Sequence, residues 1–379
     1  METIPFNRPY AVGTELEYVR EAIAAGHLSS NGEFSRRCTR WLEERIGSRK
    51  ALLTHSATGA LEIAALLSDV RAGDEVVMPA FTFVTTANAF ALRGAVPVFV
   101  DVDPETFTVD PAQVERAVTD RTRAVVAVHY AGVAADMPAI ERVAAEHGLL
   151  VVEDAAQGIL SALDGRPLGG IAPLAALSFH ETKNVSCGEG GAILVNDAAF
   201  VERAEIVAEK GTNRSRFFRG EVDRYTWVDL GSSYLLSDLN AAYLWAQLEQ
   251  AERITAMRME IWTAYHDAFA ALEAGGVLRR PVVPAGRTHN AHMYYVLLPD
   301  LERRTALIAH LAGRGVHAVF HYVPLHSSEA GRALGRANGD LPVTEAAGDR
   351  LLRLPLWAGM TSEHVERVVT AVHEWAATA

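Results

Sequence analysis

Apolar runs of strand length alternate with amphipathic helical stretches through the first two-thirds of the chain, and this alternation restricts its folds more than any other feature. Glu75-Val76-Val77-Met78, Val96–Val102, Ala124–Val128 and Leu149–Val152 are rich in β-branched residues. Before and between them, Ala57–Leu67, Phe83–Leu92, Pro111–Val118 and Met137–His147 carry apolar residues at helical spacing. The pattern predicts an α/β fold with a largely parallel sheet covered on both faces. Two further strands, Ala175–Phe179 and Ala192–Val195, flank a segment rich in glycine and polar residues. Sheets of this type bind ligands outside the carboxyl ends of their strands, so the chemistry is to be sought there.

After Asp229 the pattern changes. Ser237–Leu272 reads as one long glycine-free helical stretch, followed by a proline- and glycine-rich connection over Gly275–Gly286. A shorter α+β region follows, with a strand at Tyr294–Leu298, a helix at Arg303–Arg314, a strand at Ala318–His321 and a final helix at Ser362–Ala376. At about 150 residues per domain, 379 residues suit two or three domains. The change of pattern predicts two, over residues 1–255 and 256–379.

Composition narrows the function. With 49% hydrophobic and 22% charged residues, the chain can bury a core and is not disordered. A net charge of −12, without a basic block, disfavours a general nucleic-acid binder. The two cysteines, Cys38 and Cys187, make neither a disulfide framework nor a four-cysteine zinc site, and no metal is expected. Neither a secretory signal nor a membrane-length apolar run is visible, which predicts a cytoplasmic protein.

Chemistry-bearing residues gather at the strand ends. Val151-Val152-Glu153-Asp154 finishes a strand on an acidic pair, and Lys183 follows another strand, with Gly188-Glu189-Gly190-Gly191 close behind. Thr54-His55-Ser56-Ala57-Thr58 places hydroxyls before a helix whose free N–H groups suit a phosphate. Ser178 adds a hydroxyl, and Pro79-Ala80-Phe81-Thr82-Phe83 an aromatic face. Singly, each has an ordinary explanation: a loop lysine, a turn aspartate, a helix cap, a core phenylalanine. Together they match what pyridoxal 5'-phosphate (PLP) requires. An amine holds the cofactor covalently, a carboxylate keeps its pyridine nitrogen protonated, and donors bind its phosphate.

The spacing Glu153-Asp154-Ala155-Ala156-Gln157, Ser178-Phe179-x-x-Thr182-Lys183 and Gly188-Glu189-Gly190-Gly191 resembles the sugar-nucleotide aminotransferases, members of PLP fold type I, across essentially the whole chain. The segments Phe179–Asn184, Lys210–Ser215, Phe217–Gly220 and Ser232–Leu235 are similar to the branch acting in dTDP-4-amino-4,6-dideoxygalactose formation. The resemblance implies a mostly parallel seven-stranded central sheet sandwiched by helices, with a smaller C-terminal α+β domain. It implies that Lys183 and Asp154 are catalytic, that Ala57, Thr58 and Ser178 hold the phosphate, that Phe83 stacks on the ring and that Gln157 lies near its phenolic oxygen. The reaction it implies moves an amino group from L-glutamate to C4 of a dTDP-linked 4-keto-6-deoxy sugar, in a homodimer with sites at the subunit interface. Family members often carry an asparagine before the tyrosine that leads into the long helix, whereas here Ser233 precedes Tyr234; Ser232 or Ser233 is the available replacement.

Candidate substrate contacts are Ser30, Asn31, His180, Arg214, Arg219, His321, Tyr322 and His326. For each arginine an ordinary solvated role remains open, and His180 reads at least as readily as a satisfied polar residue. Two rival functions stand beside transamination: a PLP-dependent sugar dehydratase or isomerase, and a PLP-binding regulatory protein without turnover. Family dehydratases carry histidine at the lysine position, so Lys183 favours amination.

Overall fold

A computed structural model of the chain describes residues 2–378. Among the described residues, fourteen strands form three sheets. They are β1 (Lys50–Thr54), β2 (Glu75–Pro79), β3 (Val96–Val100), β4 (Thr122–Val128), β5 (Leu150–Asp154), β6 (Ala162–Leu163), β7 (Arg166–Pro167), β8 (Leu174–Ser178), β9 (Gly191–Val195), β10 (Arg287–Thr288), β11 (Tyr294–Leu297), β12 (Val319–Phe320), β13 (Arg336–Ala337) and β14 (Leu351–Leu354). The large sheet runs β1-β9-β8-β5-β4-β2-β3-β13 and is parallel except for β9, which is antiparallel to both neighbours.

The apolar runs work by alternation. On β4, Ala124 and Val126 enter the core on one face, while Val125 and Ala127 enter the core on the other. Both faces are roofed by helices, so an apolar residue is favoured at every position. Helices Glu33–Ile46 and Asp238–Glu249 cover one side of the β1-β9-β8 end, where Cys38, Leu42 and Leu244 meet Leu53, Leu177 and Leu194. The helix Ala57–Leu67 covers the other side and is buried over most of its length.

Two expectations change. The sheet has eight strands rather than seven, because β13 from the C-terminal third pairs in parallel with β3. Two residues with no β-branched run leave no strand signal in the sequence. The stretch Ser237–Leu272 forms three helices, Asp238–Glu249, Ala251–Ala268 and Ala270–Ala274, broken where Gln250 (φ −112°, ψ 12°) and Phe269 (φ −95°, ψ 4°) leave helical geometry. Neither break uses glycine or proline, so the apolar periodicity runs through both. Unforeseen elements include the helices Glu15–Ala24, Val201–Ala208 and Pro342–Arg350 and the strands β1 and β14.

A second core joins Ile261, Trp262 and Tyr265 to the antiparallel β11-β14-β12 sheet and to helices Leu301–Gly313 and Ser362–Ala376. We propose a division at 255/256, where the Ala251–Ala268 helix passes between cores. The chain crosses back twice. Ile4 lies in the second core, its N–H donating to the Gly315 carbonyl at 2.8 Å, while Leu325 and Leu341 lie in the first.

Glu75 anchors one of these crossings. It is fully buried at the start of β2 and accepts from Thr119 Oγ1 (2.7 Å), Arg121 Nη2 (2.6 Å) and Arg336 Nη2 (2.9 Å), the last reaching over from β13. Burial pushes its pKa up, but the bonds from Arg336 and Thr119 pull harder and leave it below the usual glutamate value. A carboxyl with a depressed folded pKa stabilises above its unfolded pKa, and that contribution is lost as pH falls through the folded value. Glu75→Gln should therefore cost about 1–3 kcal/mol at pH 7. The deficit relative to wild type should shrink in urea titrations run at pH 4 and below.

Candidate active site

Parallel pairing brings the key carboxylate and the lysine loop together. Asp154 ends β5 in register with Ala176 of β8, and β8 ends at Ser178, where it faces Gly191. The loop after Ser178 folds back on itself: Phe179 N–H donates to the Gly190 carbonyl and Cys187 N–H to that of Phe179, each within 2.9 Å. Lys183 is carried on this loop. With Asp154 it lines a cavity of about 730 Å³ at the carboxyl ends of the strands.

The two acids of Glu153-Asp154 separate by strand alternation. Glu153 points into the protein and is wholly buried, accepting the amides of Gly169, Ile171 and Ala172 at 2.7–2.8 Å and His129 Nε2 at 2.9 Å. His129 Nδ1 accepts the Ala135 amide, so the imidazole is neutral and Nε2 bears the proton. Asp154 points at the cavity. Its Oδ2 accepts Thr86 Oγ1 at 2.7 Å, Thr82 lies 2.9 Å behind Thr86, and its Oδ1 accepts the Ala156 amide at 3.2 Å. Because an ionised carboxylate offers about four lone-pair sites, two contacts leave it able to accept a proton donor from the cavity.

Lys183 has no hydrogen-bond or ion-pair partner for its Nζ among the described residues. Burial lowers its pKa to about 8; the charge of Asp154 opposes the shift, and that of Arg353 adds to it. About a tenth of the amine is therefore neutral at pH 7, far more than for an ordinary lysine, and only the neutral form is a nucleophile.

The helix Ala57–Leu67 opens on the same cavity through Ala57 and Thr58. Its first-turn amides have no partner within the helix, and the Ser56 hydroxyl takes only that of Gly59, at 3.1 Å. Gly191 is pressed against this helix end, where a Cβ would lie 2.5 Å from the Ala57 nitrogen. Ser178 lines the cavity as well. Phe83 stands at its margin with 54% of its surface exposed, its ring 6.3 Å from that of Tyr322. Gln157 is occupied on both sides: Oε1 accepts the Ala131 amide at 2.6 Å, and Nε2 donates to the Tyr322 hydroxyl at 3.1 Å. An unpaired amine, a carboxylate with spare acceptor sites and free helix amides fit a flat, phosphorylated, aldehyde-bearing pyridine.

Of the candidate substrate contacts, His180, His321 and Tyr322 line this cavity. His321 is buried and held neutral by that burial, with Nδ1 2.7 Å from the Tyr130 hydroxyl. Ser30, Asn31, Arg214 and Arg219 lie elsewhere, around a second cavity of about 830 Å³ that also includes Lys210 and Ser233. Within this chain Arg219 is tied to Glu205 (2.8 Å) and Glu221 (2.6 Å), and Arg214 stacks on Phe218. His326 lines neither cavity and lies 3.4 Å from Glu345.

Thr86, Arg258, His292 and Arg353 also bear on the site and went unread in the sequence. Thr86 sits inside a helix, and the other three come from the C-terminal third, where no motif marks them. Only their convergence on one cavity reveals them.

The family model described as DegT/DnrJ/EryC1/StrS aminotransferase matches residues 9–373. The aminotransferase TlmJ from Streptoalloteichus hindustanus is 32% identical with a TM-score of 0.90, over 99% of each chain. DesV from S. venezuelae, solved in complex with a ketimine intermediate, is 29% identical with a TM-score of 0.89 over 99% of each chain. A DegT/DnrJ/EryC1/StrS aminotransferase from Brucella abortus is 29% identical with a TM-score of 0.87, covering 96% of this chain and 95% of its own.

Two outcomes follow from the geometry. Asp154→Asn removes the charge that favours the ammonium, so the pH midpoint for acylation of Lys183 in the cofactor-free protein should fall below about 8; an unmoved midpoint contradicts the coupling. Gly191→Ala should push the helix end away from β9. Fluorescence titration should then show at least about tenfold weaker PLP binding, a loss of about 1.4 kcal/mol.

Proposed function

The chain belongs to the DegT/DnrJ/EryC1/StrS aminotransferase family, and on that premise we propose that it uses PLP to move an amino group from L-glutamate to C4 of a dTDP-linked 4-keto-6-deoxy sugar. The observation that carries this reading is the unpaired Lys183 amine, with its pKa near 8, lining one cavity with the half-satisfied Asp154 carboxylate. When bound, PLP supplies an electron sink that makes the bonds beside the transferred nitrogen easier to break.

The chain's own residues do the rest. Asp154, steadied by Thr86 and the Ala156 amide, holds a proton on the pyridine nitrogen. The amides of Ala57 and Thr58 and the Ser178 hydroxyl bind the phosphate, and Phe83 covers a ring face. Lys183 holds the cofactor between turnovers. Once released, its neutral Nζ moves the proton at the substrate carbon that gains or loses nitrogen. His321, with Nδ1 taken by Tyr130, keeps Nε2–H as a donor for substrate oxygen. The walls contributed by Tyr322, Phe320 and Leu356 exclude water and strengthen these contacts.

In this reading the protein is a homodimer. Ser30, Asn31 and Arg214, remote from Lys183 within the chain, face the partner's site, where Arg214 pairs with a diphosphate. Ser233 on the same wall stands where relatives carry the asparagine.

The test is direct. Protein loaded with PLP should convert glutamate to 2-oxoglutarate and aminate a dTDP-4-keto-6-deoxyhexose, with the amino group placed at C4 by NMR. Lys183→Ala should lose about 10³-fold or more in rate. A sugar product formed without glutamate consumption would instead indicate dehydration or isomerisation, and turnover surviving in Lys183→Ala would refute the assigned role.

A further inference from the structure

With no hydrogen bond from its own Nζ, Lys183 is held by the backbone on either side of it. Before it, the Lys183 N–H donates to the His180 carbonyl at 2.9 Å, a bond within the loop itself. After it, the buried Asn184 reaches out of the loop into the smaller body. Its Nδ2 donates to the Asn290 carbonyl at 2.7 Å, and its Oδ1 lies 3.0 Å from His292 Nδ1. The first bond settles the second. An amide whose nitrogen faces a carbonyl presents its oxygen to the imidazole, so His292 Nδ1 carries the proton and donates.

Asn290 joins this tie to the other half of the site. Its fully buried Nδ2 donates to the carbonyls of Gln157 (2.8 Å) and Ile159 (2.7 Å), on the segment that leaves β5 just after Asp154. Its Oδ1 accepts the His292 amide at 3.0 Å, and Gly132 leaves no room for a Cβ beside it. Arg258, from the helix Ala251–Ala268, donates to the carbonyls of Ala291 (3.1 Å) and His292 (2.6 Å) and braces the same turn. One short turn of the smaller body therefore grips the chain three residues beyond Asp154 and one residue beyond Lys183.

We propose that Asn184 and His292 are positioning residues, whose hydrogen bond holds the backbone beside Lys183 to the turn that also grips the exit of β5, and so fixes the amine against the Asp154 carboxylate. The proposal deepens the function proposed above and rests on its use of Lys183. Burial keeps the His292 imidazole neutral, so the tie acts by geometry and brings no charge to the amine. The charges that do act on Lys183, Asp154 and Arg353, make no bond to it. A buried amide oxygen that loses its donor has to find water instead, which draws the loop outward. Burial is the chief cause of the low pKa of Lys183, so an amine carried outward regains its ammonium form.

The experiment compares wild type with His292→Asn and His292→Leu. Asparagine and leucine have nearly the same shape, but only asparagine presents an N–H where Nδ1 stood. Cofactor-free proteins are treated with acetic anhydride across a range of pH. Acetylation of Lys183, one of three lysines, is followed by mass spectrometry. The wild-type midpoint is expected near 8, and His292→Asn should keep it there. In His292→Leu the amine should bind its proton at least about tenfold more tightly, moving the midpoint toward the ordinary lysine value of about 10.4. In PLP-loaded His292→Leu the first half-reaction with glutamate should slow by a factor of about ten or more, while the half-saturating glutamate concentration changes by less than about threefold.

An unmoved midpoint in His292→Leu overturns the proposal, because a merely structural bond would lower the melting temperature and leave the amine as it was. Equal shifts in both variants overturn it too, since the ring rather than its Nδ1–H would then seat the lysine. If His292→Leu does not fold, Asn184→Ala removes the same bond from the other side and is judged by the same midpoint. That midpoint is read without cofactor or substrate. If wild type takes no nitrogen from glutamate while the midpoint still follows the bond, the transaminase reading fails and the positioning role stands.

Discussion

The Lys183 amine gives up most of its water when the chain folds, and the carboxyl end of the sheet is organised around the consequences. Burial alone disfavours an ammonium ion, and a lysine left so in an apolar wall would be an inert neutral group. Asp154 restores part of the charged form, and Arg353 takes some of it away. The resulting balance lies near neutrality, where one nitrogen can serve as both nucleophile and base. It depends on distances set by the backbone, because β5 and β8 are adjacent parallel strands whose ends deliver the carboxylate and the lysine loop to one cavity.

Holding those ends in place uses polar groups that never meet the cavity. Glu153 ties the end of β5 to the amides of Gly169, Ile171 and Ala172 and to His129. A buried carboxylate with this many donors is satisfied only in one arrangement, so it fixes the direction of Asp154 beside it. At Gly191 the absence of a side chain lets β9 approach the helix end at Ser56. The smaller body is fastened by similar means. Asp101 at the edge of the large sheet accepts the amides of Val343 and Thr344 (3.0 and 2.8 Å), and Glu75 receives Arg336 from β13. These ties bring His321, Tyr322 and Arg353 over a lysine that belongs to the other body.

Much of the fold and part of the site are legible in the residue order. Helices Ala57–Leu67, Met137–His147 and Ser362–Ala376 have the expected limits, because an N-cap at Ser56, Asp136 or Thr361 begins each apolar stripe. Asp154, Lys183 and the Ser56 turn are visible because each directly follows an apolar run or opens a helix. The breaks at Gln250 and Phe269 leave no mark, since packing rather than a breaker residue bends the chain there. The two-residue strand β13 is equally silent, its pairing supplied by β3 from far back in the chain.

Residue order by itself determined the alternating sheet, the helices that cover it, and an amine, a carboxylate and a phosphate-binding turn at strand ends. These follow from local periodicity and from the chemistry of single residues, and binding of a phosphate at that turn is part of the proposed function. Tertiary structure alone decided which of the many remaining polar residues share a cavity. It placed Arg353 and Arg258 beside Lys183, gathered Ser30, Asn31 and Arg214 around a separate cavity, and gave Arg219 to Glu205 and Glu221. The reason is physical. Whether a charge is solvated, paired or left waiting depends on neighbours distant in sequence, and only the folded chain sets which groups lose water together.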